Sequence, residues 1–410
     1  PSCMNRDDVG TPKTAVYGGV QRARVSSQSW KHAMRVMFKE LLDPSELSLR
    51  TRFVLELVAG DMVKQKPELS LEEAKSKAIK YLQMVEILPT PETKEDKAKK
   101  NSKGKKADPE ATEQEVAEQE VKTNVSETAA AVEQKALFFL SVGQIYSLAS
   151  AILTAEQQKK TTEDTITSNN LKEDEATKLR KADEVEAKKQ VKAALQSNNG
   201  IEIELFGRMV ASDKDLTVDA CAQVAHAIST HAVENEQDFL AAVDDMADTL
   251  SDHGGSGFIG DTEFNSSTLY RYATVAVHDL DAKLGNVDAT ARAVKDFVTA
   301  FISSLPTGKI NSYANNNVPN AVYVTFRTDR PANFCGAFEK AIVGGASGYV
   351  QPSAEALEAY VLDLYADFLA SPDTSFVVGR YLPKLVEFGQ RVPLTTLLTE
   401  IESHIKQVAQ

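Results

Sequence analysis

The sequence predicts an α+β fold whose split β-α-β core is interrupted by a long helical segment. Three observations carry this. Stretches at 201–210, 267–278 and 320–327 read as strands between helical stretches, and a strand–helix–strand–strand–helix–strand order suits a split β-α-β core. Helical periodicity dominates 44–90, 128–156 and 171–197. A charged tract at 91–125, nearly free of large apolar residues, divides that helical block.

The first stretch is residues 5–35, NRDDVGTPKTAVYGGVQRARVSSQSWKHAMR. It is basic in an acidic chain: Arg6, Lys13, Arg22, Arg24, Lys31 and Arg35 stand against only Asp7 and Asp8, while the whole chain carries a formal net charge of −13. Gly18, Gly19, Ser26, Ser27, Gln28 and Ser29 sit between the charges. Ser27-Gln28-Ser29 reads as a helix start, with Trp30, Ala33, Met34, Met37, Phe38 and Leu41 at helical spacing behind it. Lys31 and Arg35, four apart, share one side of that helix near its N-terminal end. Glycines that let the backbone come close, hydroxyls, a helix N-terminus, Arg forks and Lys point charges together suit a polyanion backbone. A solvated basic face with ordinary capping has the same composition.

Residues 44–90 read as helices, in LSLRTRFVLELVAGDMV and LEEAKSKAIKYLQMVEIL. The tract at 91–125 has a lysine-rich half followed by a glutamate-rich half and is expected to be a flexible charged insertion, a solvated linker or a weak nucleic-acid contact. Residues 128–156 return to buried helix, and 171–197 form a charged helix or pair of helices carrying Lys178, Arg180, Lys181, Lys188, Lys189 and Lys192 among Glu and Asp.

The segment IEIELFGRMV at 201–210 alternates and reads as a strand ending at Gly207-Arg208-Met209. TVDACAQVAHAISTH at 217–231 reads as an amphipathic helix; its His226 and His231, five apart, make a poor metal pair and read as structural. In 232–266 the apolar cluster Phe239, Leu240 and Val243 lies among Glu234, Glu236, Asp238, Asp244 and Asp245, which makes a deep core uncomfortable there. The glycine-rich DHGGSGFIGD that follows lacks the lysine of a phosphate loop. A strand at 267–278 has Tyr270 and Tyr272 on one side, suited to core packing or to base stacking. A helix at 289–304, a strand at 320–327 and helices at 331–345 and near 353–370 complete the chain.

With 410 residues the chain can bury a large core and form more than one substructure. No run approaches the ~18 apolar residues of a membrane span, and no signal-peptide pattern is present. Cys3, Cys221 and Cys335 are scattered, without metal or disulfide spacing, which fits a reducing, cytoplasmic setting. The acidic total opposes indiscriminate nucleic-acid binding but permits a local basic channel.

The run Asn-Arg-Asp-Asp, Lys, Gly-Gly, Arg-x-Arg, Ser-Ser-Gln-Ser and Lys-x-Ala-x-Arg within 5–35 closely resembles the start of the CasC-type (Cse-group) backbone subunit of the type I-E CRISPR surveillance complex, Cascade. The resemblance extends downstream, outside 90–200. It implies an RNA-recognition-motif-like (ferredoxin-like) palm from 1–50, 201–231 and 267–410, helical fingers at 51–200 and a thumb at 232–266. The family has a short strand before the point where this sequence opens at Pro1, so the palm is expected to lack its first strand here.

The resemblance also implies partners and sites. These are a guide RNA (crRNA), target DNA, further copies of the chain head-to-tail and other Cascade subunits, with no cofactor, no metal and no membrane. Guide phosphates and 2′-hydroxyls would meet Arg6, Lys13, Arg22, Arg24, Ser26, Gln28, Lys31 and Arg35, with Arg208 and Met209 beside a displaced nucleotide. Without the family, Met209 would read as a core methionine at a strand end. Phe239, Leu240 and Val243 match the thumb's wedge positions, and Lys188, Lys189 and Lys192 could touch target DNA. His32 departs from a basic residue often found there, so one phosphate contact could depend on pH.

Three function classes remain: a non-catalytic RNA scaffold, an RNA-processing nuclease of similar fold, and a stand-alone single-strand binder. The histidines, His32, His226, His231, His253, His278 and His404, are dispersed, and no carboxylate cluster has metal spacing, so nothing demands acid–base or metal chemistry.

Overall fold

The computed structural model describes residues 1–89, 137–210, 212–243, 256–346 and 348–408. In chain order the elements are β1 (Thr14–Tyr17), β2 (Val20–Val25), α1 (Ser27–Leu41), β3 (Ser48–Thr51), α2 (Val54–Gln65), α3 (Leu71–Met84), β4 (Phe138–Ser141), α4 (Val142–Ser168), α5 (Glu173–Gln196) and α6 (Ile201–Phe206). There follow β5 (Ala222–Val224), β6 (Ala227–Ser229), β7 (Glu236–Val243), β8 (Ser256–Phe264), β9 (Leu269–Tyr270), β10 (Ala273–Val275), α7 (Val277–Leu284), α8 (Val287–Ser303) and α9 (Ile310–Tyr313). The last are β11 (Ala321–Phe326), α10 (Val350–Asp367), β12 (Thr374–Gly379), β13 (Gln390–Arg391) and α11 (Leu394–Val408). The mixed helix-and-sheet class agrees with the sequence.

The chain divides into two units. One comprises Pro1–Leu47, Glu204–Gly207 and Asp219–Gln410. Its main sheet has the order β1-β2-β6-β9, each pair antiparallel. The β1–β2 hairpin turns through Gly18 and Gly19, with φ of +60° and +77°. Two positive-φ residues make a tight turn that glycine adopts without strain, and a Cβ on Gly18 would strike the carbonyl of Glu339. Helix α1 buries Trp30, Ala33, Met34 and Phe38, each large side chain stabilising the fold by about 1.5–3 kcal/mol. Phe206 bridges the rings of Phe38 and Phe297 of α8, at 6.0 and 6.2 Å. Arg271 lies over the ring of Trp30 at 3.5 Å and that of Phe301 at 4.4 Å, and burial lowers its pKa to about 9. A second core joins Phe334, Val361, Val377, Leu382 and Leu385.

The other unit comprises Ser48–Ile203 and Arg208–Val218. It packs α2, α3, α4 and α5 around Val58, Met62, Leu82, Leu148, Ile152, Val191 and Leu195, with β3 paired antiparallel to β4. Capping boxes start α3 at Ser70 with Glu73 and α4 at Ser141 with Gln144. The charged helix expected over 171–197 is α5. The flexible insertion expected at 91–125 lies outside the described residues, as does the start of the helix expected from 128; its described part opens with β4 instead. Likewise 44–90 begins with a 3-10 turn at Pro44–Glu46 and strand β3 before its two helices.

The strand expected at 267–278 is divided into β9 and β10, which belong to different sheets, and its end enters α7. Three further elements differ from the sequence reading in kind. The expected strand at 201–210 is helix α6. Ile201, Glu202, Ile203, Glu204 and Leu205 are all buried, so alternation marks no exposed face. The two glutamates persist because Glu202 accepts from the Ser48 amide at 2.7 Å and Glu204 pairs with Lys283 at 3.5 Å. The expected helix at 217–231 is strands β5 and β6. Their buried positions alternate, and β6 sits between β2 and β9, so pairing overrides the alanine-rich composition. The expected helix at 331–345 is only a 3-10 turn at Cys335–Phe338. Backbone groups there bond elsewhere: the Phe338 and Glu339 carbonyls accept from Arg22, and the Ile342 amide donates to Thr230.

Candidate nucleic-acid interface

The basic strip of the first unit is built around Asn5. Its carbonyl accepts from the Lys13 amide at 2.9 Å, and its side-chain oxygen accepts from the Ser26 amide at 2.8 Å. These bonds set the loop at 5–12 beside both the hairpin and the start of α1. Asp7 closes the loop, accepting from the amides of Val9 and Thr11 and, at 2.6 Å, from the Thr11 hydroxyl. That hydroxyl, with the loop amides behind it, holds the Asp7 carboxyl below the usual range. Arg6 is exposed on this loop, opposite Pro12.

Arg24 stands on β2, opposite Ile228 of β6. Its Nε donates to the Thr14 carbonyl at 3.2 Å, and its Nη1 meets Nδ1 of His226 at 3.2 Å. An arginine can only donate, so Nδ1 accepts and the imidazole is neutral, with its proton on Nε2. Burial first, then Arg24 and Lys13, pushes the His226 pKa below its ordinary value. Neither Lys13 nor Arg24 forms an ion pair with a carboxylate among the described residues. Lys13 and Arg24 therefore form one cationic patch against the neutral His226, with Arg6 on the adjoining loop.

Helix α1 continues the strip. Ser26 caps it, its hydroxyl accepting from the Ser29 amide at 3.3 Å. Ser26 is buried, so its observed role is the cap. Gln28 is exposed in the first turn, Lys31 lies over the Phe206 ring at 5.6 Å, and Arg35 is partly exposed one turn on.

Two arginines expected at the RNA face are interior. Arg22 is 0% exposed. It donates to the carbonyls of Ser229 at 3.0 Å, Phe338 at 2.8 Å, Glu339 at 3.3 Å and, through Nε, Tyr17 at 3.2 Å. Arg208, 4% exposed, belongs to the other unit and donates to the carbonyls of Leu216, Phe139 and Leu195 and to Gln144, all at 3.0–3.1 Å. Both guanidiniums tie separate backbone segments together, and their geometry leaves no access for a phosphate. Lys192 is also engaged, at 2.8 Å from Asp213 and 2.7 Å from Asp215, in that order the causes that raise its pKa. Lys188 and Lys189 are exposed on α5.

Met209, next to buried Arg208, is 88% exposed; it is not the core methionine that its position in a strand would make it. The hairpin β7–β8 carries Phe239 at 68% exposure and Leu240, also exposed. Val243 ends β7; its side chain falls outside the described part. The reading of the sequence missed two more apolar residues here, Phe258 and Ile259, both exposed on β8. They lie opposite Ala242 and Ala241, and the signal was present in the Phe-Ile of the glycine-rich run. By strand alternation Leu240 and Phe258 share one face of the hairpin, and Phe239 and Ile259 the other. His226 was missed as well, because its partner lies about two hundred residues away.

His231 is structural. Its ring stacks on Tyr349 at 3.7 Å, its Nε2 accepts from the Thr268 amide at 3.1 Å, and its Nδ1 donates to the Ala232 carbonyl at 2.8 Å. Among the described residues no group of three or more His, Cys, Asp or Glu is placed to hold a metal ion, and no helix is long and apolar enough to cross a membrane.

The model of the CT1975-like protein family matches residues 1–392. No curated protein matches the chain. A chain from a solved structure described as "CRISPR RNA-guided surveillance complex, pre-nicking" is similar with a TM-score of 0.68 and 27% identity, over 97% of this chain and 95% of that one. A chain from a "CRISPR RNA-guided surveillance complex" is similar in fold, with a TM-score of 0.59 and 22% identity over 98% and 96%.

Proposed function

Because this chain belongs to the CT1975-like protein family, we propose that it is a non-catalytic backbone subunit of a type I-E CRISPR surveillance complex. In this reading it binds guide RNA, polymerises along it head-to-tail and presents it in segments for pairing with target DNA, beside other subunits of the complex. The observation that carries the proposal is the patch of Lys13, Arg24 and His226, continued by Arg6 and the exposed flank of α1. It is a cationic strip in an acidic chain, with donors suited to phosphates and 2′-hydroxyls. The similarity to a chain of an RNA-guided complex over nearly its whole length supports it.

The first unit then corresponds to an RNA-recognition-motif-like palm, with β7–β8 as the thumb, and the helical unit to the fingers. Phe239 and Leu240, with Phe258 and Ile259, supply an apolar tip able to unstack nucleotides. Met209 offers a flexible thioether to a base face. Lys188 and Lys189 are the finger lysines open to target DNA. Sequence discrimination would rest with base pairing, the protein ordering the guide.

The test is assembly on single-stranded RNA followed by native mass spectrometry. The proposal expects the number of bound copies to rise stepwise with RNA length while the RNA stays intact. One copy per RNA regardless of length, or cleavage of the RNA, would contradict it.

A further inference from the structure

The cationic strip contains a group that neither a phosphate-binding motif nor ordinary packing explains. His226 is exposed in the connection between β5 and β6, and its Nδ1 accepts from Nη1 of Arg24. Arginine–histidine contacts of this kind are costly when the imidazole is charged, because both groups are then donors and both are cations. The charged groups that act on His226 are Arg24 from β2 and Lys13 from the segment entering β1; no carboxylate acts on it among the described residues. The same two cations form no ion pair with a carboxylate among the described residues. Arg24 is anchored by two donors, to Thr14 and to His226, so its remaining donors are available to a ligand.

We propose that His226 is a proton-linked third member of the Lys13–Arg24 site, neutral and holding Arg24 when the site is empty, and protonated when an RNA phosphate fills it. The inference rests on the reading of this strip as an RNA-binding face and adds a residue and a regulation to it. With the site empty, two neighbouring cations and partial burial disfavour a third positive charge. A phosphodiester brought in by Lys13 and Arg24 supplies the anion that is missing, neutralises their field at the imidazole and favours its charged form. Protonation at Nδ1 then ends acceptance from Arg24, leaving that Nη1–H free for the phosphate, while the imidazolium becomes a donor itself. Binding therefore takes up a proton.

A group that binds a proton more tightly in the complex than in the free protein makes affinity rise as pH falls through the interval between its two pKa values. Histidine is the side chain placed to do this near neutral pH.

The experiment is fluorescence anisotropy of a labelled, uniform-sequence single-stranded RNA, at fixed ionic strength, with the full chain and its His226→Asn and Arg24→Ala variants. Asparagine keeps an acceptor for Arg24 and does not titrate. Wild type is expected to bind about two- to fivefold more tightly at about pH 6 than at about pH 8, tenfold being the limit, reached only well below both values, for an imidazole pKa in the complex about one above that in the free protein. His226→Asn is expected to flatten that difference to about twofold or less, the remainder belonging to other histidines. An equal pH dependence in wild type and His226→Asn would overturn the proposal while leaving the RNA-binding reading intact. A wild type whose affinity is flat with pH would do the same. RNA affinity undiminished in Arg24→Ala would instead overturn both, because the strip would then not be where RNA binds.

Discussion

Nη2 of Arg22 donates to the carbonyl of Phe338 at 2.8 Å, joining positions 316 residues apart. With its bonds to Ser229, Tyr17 and Glu339, this one guanidinium holds the β1–β2 hairpin, the end of β6 and the 3-10 turn together. Arg22→Ala would leave buried carbonyls without donors, so a loss of about 3 kcal/mol or more is expected. Arg22→Lys should recover little, since a single ammonium cannot reproduce the fork. Urea unfolding of the two variants checks this; a change in Arg22→Ala within about 0.5 kcal/mol would contradict it.

Arg208 and Met209 are adjacent and should behave oppositely. Arg208→Ala removes donors from three carbonyls and from Gln144, and should lower the melting temperature of the helical unit by several degrees, at about 2–4 °C per kcal/mol. Met209→Ala, on a side chain 88% exposed, should stay within about 0.5 kcal/mol of wild type. Thermal denaturation followed by circular dichroism separates the two.

The apolar hairpin gives a third prediction. Phe239 and Phe258 are 68% and 60% exposed, so Phe239→Ser with Phe258→Ser should leave the melting curve nearly unchanged. If the tip unstacks nucleotides, 2-aminopurine placed along a target strand should brighten at intervals with the wild-type assembly. The double variant should lose about half or more of that brightening. Equal fluorescence in both assemblies would remove the wedge role.

Asp7 gives a prediction in acid. Its carboxyl is held low by the Thr11 hydroxyl and the loop amides, so its folded-state pKa lies below the unfolded one. The ordering it provides is therefore complete above the ordinary carboxylate range and is lost as pH falls through the lowered value. Hydrogen exchange at the Thr11 amide, measured against a neighbouring strand amide across that range, should show selective loss of protection in wild type. In Asp7→Ala the protection should be missing at every pH.

Much of the frame was legible because it is written in local chemistry. Ser27-Gln28-Ser29 followed by an apolar stripe at helical spacing gave α1. The long charged pattern gave α5. What failed depended on distant partners. The alternation in Ile201–Leu205 suggested one exposed face, yet Ser48 and Lys283 allow glutamates to be buried on a short helix. The alanines of 222–227 suit a helix until β2 and β9 supply strand partners for β6. At the site, Arg22 and Arg24 belong to one Arg-x-Arg motif and look equivalent. Only the carbonyls of Ser229 and Phe338 distinguish the structural arginine from the one available to a ligand. His226 was invisible for the same reason, its meaning lying in Arg24 and Lys13 rather than in its neighbours along the chain.

The most direct measurement is binding of labelled guide-length RNA at a series of salt concentrations, comparing wild type with Lys31→Ala/Arg35→Ala. If the strip from the loop at 5–12 through α1 holds guide phosphates, wild type binds tightly and loses affinity steeply with salt. The double variant then binds more weakly, with a slope in log K against log salt shallower by about 1.4, at ~0.7 for each phosphate contact on a single strand. Equal affinity and equal slope in the two proteins would mean that α1 presents only a solvated basic face, and the proposed path of the guide would be wrong.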